Sequence, residues 1–284
     1  MIYVSSACVK ATKIKEAVEM LQKEGFSNIE LSGGTQPYEQ MLDDLLELKE
    51  KYQLNYLCHN YFPPPKEAFV LNLASLDEEI AEKSLAHCFN AIDLSKKLGA
   101  KKFAVHAGFL INIPVNQIGE KIDQLPFFDE RKAYQQFEKN LAELIVYAGE
   151  DVKIYIENNV ISLDNFKRFK QKDPFFFTSA ENLEKINIKL NFEILLDVAH
   201  LKVSCHSLNL DFKAHLKQLF DKTDYIHISD NDGLSDLNLG LERDGDLHEA
   251  LKQIWKKNKT VTLETYDGME RLKETYKLIE ELNE

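Results

Sequence analysis

The stretch ILLDVAH, residues 194–200, carries an apolar segment into Asp197 and, three positions on, His200. A carboxylate and an imidazole at that spacing leave one strand exit together, where both can reach the same point. Each alone has an ordinary role, the aspartate as a helix cap and the histidine as a satisfied polar group. The pattern recurs along the chain, however. Apolar runs end at His59 (NYLCH), His106 (KFAVH), Glu157 (KIYIE) and Glu264 (TVTLE), and YIHIS carries His227 with Asp230 in its exit. Imidazole nitrogens and carboxylate oxygens hold divalent cations, and they are also the groups that move protons near neutral pH. If these six segments share one end, their carboxylates face one another at high cost unless a cation compensates. A divalent metal site is the expectation.

Such a gathering needs elements to position it. Eight short apolar runs, at 2–6, 28–31, 55–59, 102–106, 153–157, 193–197, 225–229 and 260–264, alternate with amphipathic helical stretches such as 12–25, 78–99 and 131–149. Glycine stands where these helices must stop. Near-continuous apolar strands covered by helices form a parallel sheet, and eight such units favour an α/β fold closed into a (β/α)8 TIM barrel, with an open doubly wound sheet as the alternative. Barrel enzymes place their chemistry at the C-terminal strand ends, which is where the six residues fall. A length of 284 residues suits one such barrel, so a single domain over 1–284 is expected.

Charge and cysteine usage narrow the partners. With 35 Lys and Arg against 47 Asp and Glu, the formal charge of −12 repels phosphate backbones, so neither nucleic acid nor an anionic membrane is expected as a partner. Cys8, Cys58, Cys88 and Cys205 include no C-x-x-C pair, which argues against a thiolate zinc site and a disulfide framework and places the chain in a reducing cytoplasm. MIYVSSACVK lacks a cationic segment followed by a sustained apolar one, and no apolar run approaches a membrane span.

VHAGF (105–109), IENN (156–159), LDVAH (196–200), HISDNDG (227–233) and LET (263–265), in that order, resemble the xylose isomerase-like TIM-barrel superfamily. Its members include sugar isomerases and epimerases and the apurinic endonuclease IV family. In the sugar branch the resemblance implies one divalent metal (Mn, Mg, Co or Zn) held by Glu157, Asp197, His227 and Glu264. The metal would polarise a sugar carbonyl and its neighbouring hydroxyl, while Glu157 and Glu264 act as the catalytic pair, taking and returning a proton through an ene-diolate. His200 would donate to a substrate oxygen. His59 and His106 would donate to sugar hydroxyls or, with Glu157, hold a second metal.

In the endonuclease branch, His59, His106 and Glu157 would hold one zinc, the four ligands above a second, and His200 with a D-x-H pair a third. The segment CHNYFPPPKEAFVLNLAS (58–75) resembles that branch as well. Here the D-x-H position reads Asp236, Leu237, Asn238, and a neutral amide is a poor zinc ligand. The strand exits also lack the arginines and lysines that clamping a kinked duplex requires. The leading expectation is therefore a metal-dependent isomerase or epimerase acting on a small sugar or sugar derivative. An abasic-site endonuclease comes second. A non-catalytic metal-binding barrel comes third, disfavoured because Glu157 and Glu264 are both intact.

Outside these motifs, Glu30 in NIELSGG either faces the mouth and accepts from a hydroxyl or pairs with a nearby lysine. Arg243 in GLERDGD binds a substrate oxygen or phosphate, or lies in a solvated turn. The apolar, proline-stiffened segments YFPPP (61–65), GFLINIP (108–114) and QLPFFD (124–129) either roof a pocket or form the subunit interface of a homo-oligomer. DPFFFTS (173–179) reads as core or interface.

Overall fold

In the computed structural model, which describes residues 1–186, 190 and 192–284, eight parallel strands close into a barrel in chain order. They are β1 (Ile2–Ser5), β2 (Asn28–Leu31), β3 (Asn55–His59), β4 (Lys102–His106), β5 (Lys153–Glu157), β6 (Glu193–Asp197), β7 (Tyr225–Ile228) and β8 (Thr260–Leu263). Pairing of β1 with β8, at Ile2↔Val261, Tyr3↔Thr262 and Val4↔Leu263, closes the ring and removes the open-sheet alternative. Every expected strand is present, and β1, β7 and β8 each stop one residue short of the run read from the sequence.

The strands are wrapped by α1 (Ile14–Lys23), α2 (Met41–Tyr52), α3 (Glu78–Leu98), α4 (Glu130–Ala148), α5 (Leu163–Arg168), α6 (Ala180–Leu183), α7 (Val198–Leu208), α8 (Phe212–Phe220), α9 (Asp246–Ile254) and α10 (Met269–Asn283). Local chemistry sets the ends of the long ones. Asp77 accepts from the Glu79 and Ile80 amides to start α3, and Gly99, at φ 76, takes the left-handed position that ends it. Asp129 starts α4 in the same way through the Lys132 amide. Among the described residues no helix is long and apolar enough to cross a membrane.

Alternation along the strands divides their side chains between two cores. Phe103 and Val105, Ile154 and Ile156, Leu196, Ile226 and Leu263 pack into the layer under the helices. Tyr3, Leu57, Ala104, Tyr155, Leu195 and Tyr225 form a separate buried cluster inside the barrel. Two residues further along five of these strands stand His59, His106, Glu157, Asp197 and His227. Strand period and barrel closure thus lift one ring of side chains above an apolar floor.

The apolar exits of β3, β4 and β5 pack on one another. Val70, Phe109, Ile111, Ile122 and Phe169 make a third, smaller cluster, with Ile113, Leu125, Phe127 and Phe175 against it. Asparagines staple these loops: Asn72 accepts from the Phe109 amide at 3.2 Å and donates to its carbonyl at 2.9 Å. Asn159 donates to the carbonyls of Ala107 (2.6 Å) and Phe176 (3.0 Å). At Gly108 the chains approach so closely that a Cβ would lie 2.4 Å from that of Ala74. Phe62 of YFPPP and Phe176 and Phe177 of DPFFFTS are buried in the main core.

Candidate metal centre

Glu157 is the hub of the ring. Its Oε2 accepts from His59 Nε2 at 2.7 Å and lies 3.5 Å from His106 Nδ1. Its Oε1 lies 3.7 Å from His200 Nδ1 and 3.7 Å from His227 Nδ1. The same His227 nitrogen is 3.3 Å from Glu264 Oε2. Glu157, Asp197 and Glu264 are all buried, and His227 is completely so.

Asp197 has two functions at once. One oxygen accepts from the His200 amide at 2.7 Å and so caps α7, while the other lies 3.9 Å from His200 Nε2. Asn158 fixes both residues of this pair. It brackets the Asp197 backbone, accepting from its amide at 2.7 Å and donating to its carbonyl at 2.9 Å, and its own carbonyl accepts from His200 Nδ1 at 2.9 Å. The helix-cap reading of Asp197 and its place in the ring are therefore both present in one residue.

Ligand-type atoms of Glu157, Asp197 and His227 lie within 4.8 Å of one another, and so do those of His59, His106 and Glu157. Glu157 Oε1, His227 Nδ1 and His106 Nδ1 are buried without a hydrogen bond. Each such atom costs about 1–3 kcal/mol. Charge tells the same story. Burial pushes the Asp197 carboxyl up to about 7; His200 opposes this, and Asp236, Glu157 and Glu264 reinforce it. Burial would raise Glu264 too, but His227 and His59 hold it down to about 2. Burial pushes the His106 imidazole down to about 4, leaving it a neutral base at pH 7. Glu157, Asp197 and His227 form the group, and Glu264 joins it through its 3.3 Å approach to His227 Nδ1; three carboxylates and one imidazole suit Mn²⁺, Mg²⁺, Co²⁺ or Zn²⁺.

The remaining candidates divide. Asp236 reaches the ring, its Oδ2 lying 3.2 Å from His200 Nε2, carried there by a loop that pairs Asp230 with Leu239 through backbone hydrogen bonds of 2.8 Å. Asp230 itself turns to Lys202, which donates to it at 2.5 Å, and stands outside the ring. Arg243 is on the surface, bound bidentately to Glu281 of α10 at 2.8 Å, as the solvated-turn reading held. Glu30 neither faces the mouth nor pairs with lysine; it is fully buried and bound to His227 Nε2 at 3.0 Å and to the hydroxyls of Tyr225 and Thr262. A further group, Asp244, His248 and Glu249, meets the same 4.8 Å criterion at the start of α9. Its atoms are already engaged, Asp244 with Lys252 at 2.8 Å and His248 Nδ1 with the Asp244 amide at 3.0 Å.

Residues not singled out from the sequence also belong here. Asn158 lies inside IENN, and Tyr225 and Thr262 stand two positions before His227 and Glu264. The period of a strand was the signal that could have found the latter two. Tyr266 donates to Glu264 Oε1 at 3.3 Å from just past LET.

A closed (β/α)8 barrel with its chemistry-bearing side chains gathered at the C-terminal strand ends defines the class. The chain belongs to the xylose isomerase-like TIM-barrel family, whose model matches residues 17–282. It is 26% identical over 232 residues, 78% of each chain, to the uncharacterized protein MJ1614 of Methanocaldococcus jannaschii. Among solved structures it is similar to a D-tagatose 3-epimerase-like protein (TM-score 0.72, 18% identity, 99% of this chain and 96% of that one). An L-ribulose 3-epimerase aligns with TM-score 0.64 at 16% identity, over 97% and 86% of the two chains. The TTHB071 protein of Thermus thermophilus, soaked with zinc chloride, aligns with TM-score 0.63 at 18% identity, over 99% and 98%. At these identities the likeness speaks for the fold.

Proposed function

We propose that the protein is a divalent-metal-dependent isomerase or epimerase acting on a small sugar or sugar derivative. The observation that carries the reading is the approach of Glu157 Oε1 and Glu264 Oε2 to His227 Nδ1, at 3.7 and 3.3 Å, with Asp197 in one ligand-type group with Glu157 and His227. The sugar epimerases among the structural neighbours support it. Glu157, Asp197, His227 and Glu264 would hold the ion, which when bound supplies a Lewis acid for a carbonyl and the adjacent hydroxyl.

The rest is work for the chain itself. One of the two glutamates takes the proton from the carbon beside the carbonyl and the other returns one, to the opposite face in an epimerase. His200, held through Nδ1 by the Asn158 carbonyl, would donate from Nε2 to a substrate oxygen that takes the place of Asp236, 3.2 Å away, and His59 and His106 stand at the other oxygen of Glu157 as further donors. In this reading the enzyme works on free small molecules in the cytoplasm. The test is incubation with a panel of ketoses and Mn²⁺ in D₂O. Deuterium should enter the carbon next to the carbonyl only when metal is present; turnover without exchange overturns the proton-transfer mechanism.

A second reading rests on one further observation. His59, His106 and Glu157 form a group that shares Glu157 with the first, which is the layout of a two-ion centre for phosphodiester hydrolysis. The net charge of −12 opposes it. Asn238, whose amide oxygen accepts from Ser229 Oγ at 3.2 Å, also stands where that branch has a histidine. Metal-dependent incision of an oligonucleotide carrying an abasic site would put this reading first.

A further inference from the structure

We propose that Glu30 is a positioning residue that fixes His227 with Nε2 protonated and Nδ1 turned to the metal centre, so that His227 binds its cation through Nδ1. The inference rests on the metal-centre part of the proposed function and deepens it.

Glu30 stands on β2, is completely buried, and among the described residues its ion-pair partner is the His227 imidazole. Its Oε1 meets His227 Nε2 at 3.0 Å, and its Oε2 is bound by the hydroxyls of Tyr225 and Thr262. All three groups reach it as donors to an ionised carboxylate. An anion in this position needs a hydrogen on Nε2. Both oxygens of Glu30 are then engaged, although it lies close enough to His59 and His227 to form a ligand-type group with them.

The consequence falls on the other ring nitrogen. His227 Nδ1 has no hydrogen-bond partner and faces Glu264 Oε2 and Glu157 Oε1. Two carboxylates facing one ring nitrogen repel its lone pair unless positive charge lies between, so Nδ1 is the atom that would meet the cation. A carboxylate behind a ligating imidazole fixes its tautomer and raises its basicity, and loss of such a partner typically lowers metal affinity by about 10–100-fold. Tyr225 and Thr262 hold the carboxylate in turn, which explains polar side chains in the floor of the barrel directly below His227 and Glu264.

The experiment uses the full chain, freed of metal and titrated with Zn²⁺ against a competing chelator, together with ¹⁵N ring spectra of His227. In the wild type, zinc should shift Nδ1 to a coordinated resonance while Nε2 keeps a slowly exchanging proton. Glu30→Gln should bind zinc about 10–100-fold more weakly at unchanged stoichiometry and lose the slow Nε2 proton. A purely structural Glu30 would change the melting temperature and leave both readouts as they were, which overturns the proposal, as would coordination through Nε2. Tyr225→Phe keeps the carboxylate and removes one group that aims it; it should weaken zinc by a smaller factor, and it carries the test if Glu30→Gln does not fold, unchanged affinity again overturning the proposal. A wild type that takes up no zinc sinks the metal centre as a whole, an outcome distinct from a variant that binds as tightly as the wild type.

Discussion

The floor and the rim of the barrel interior are built from the same strands, two residues apart, and they differ in kind. Leu57 lies under His59, Ala104 under His106, Tyr155 under Glu157, Leu195 under Asp197 and Tyr225 under His227. In the floor two of the tyrosine hydroxyls that break the apolar packing are each tied to an acid: Tyr155 to Asp224 at 2.8 Å, Tyr225 to Glu30. In the rim, buried nitrogens and oxygens of His106, Glu157 and His227 are left open. About 6.6 Å of strand separates the two regimes. What sets the rim apart is buried hydrogen-bonding capacity left open on His106, Glu157 and His227, whereas Tyr155 and Tyr225 of the floor give theirs to Asp224 and Glu30.

If that division is right, substitutions in the rim cost function and substitutions in the floor cost stability. The largest effect is expected at Glu157, which four imidazoles face at 2.7 to 3.7 Å. Glu157→Gln keeps the shape and removes the shared charge. Turnover should fall a thousandfold or more, about 4 kcal/mol in the barrier, with metal content reduced in parallel. Circular dichroism and elemental analysis on one sample separate this from misfolding. A folded variant with full metal and normal turnover would dissolve the distinction between rim and floor.

The mirror test is Leu195→Ala. Leu195 is fully buried in the floor, one step below Asp197, and its truncation leaves a cavity that the strand ring cannot collapse to fill. Urea unfolding should show a loss between about 2 and 5 kcal/mol, while the folded fraction binds metal with wild-type stoichiometry. Lost metal at preserved stability would mean that the floor belongs to the site.

The rim was legible in the sequence because its residues end apolar runs, and a period of two with barrel closure forces such ends together. Its supports were not. Glu30 and His227 are 197 positions apart, and nothing local to NIELSGG says which strand lies opposite. Asp230 lies three positions beyond His227 and resembles a ligand in spacing, but Lys202 on α7 takes it, a pairing that only the docking of that helix reveals. For Arg243 the sequence leaves a substrate contact and a solvated turn both open, because its bidentate partner Glu281 lies near the end of the last helix, 38 positions away. The exits after β3, β4 and β5 are plainly apolar in sequence. Apolar character alone does not say whether such loops cover a ligand, a second subunit or, as the structure has it, one another.

A carboxylate outside the barrel interior sharpens the comparison from the other side. Asp173, in the stapled loop after β5, is mostly buried; its oxygens accept from the Phe175 amide at 2.9 Å and the Thr178 hydroxyl at 2.5 Å. The cation that acts on it, Lys185, is occupied with Glu130 at 3.5 Å. Burial therefore prevails over those two hydrogen bonds and Lys185, and pushes the Asp173 carboxyl up to about 6. The sign of the linkage follows. The native state holds this proton more tightly than the unfolded chain, whose aspartate ionises near 3.9, so stability is full below about pH 4 and is lost as pH rises through about 6. Two units correspond to up to about 3 kcal/mol. Asp173→Asn is neutral throughout and keeps an oxygen to accept from the amide. Other acids titrate in the same range, so the quantity to measure is the difference in unfolding free energy between wild type and variant from pH 4 to 7. The wild type should lose ground steadily across that window and run parallel to the variant above it. A flat difference would show that Asp173 ionises at an ordinary pH, and that hydrogen bonds alone suffice to hold a buried carboxylate in this fold without the imidazoles that the rim provides.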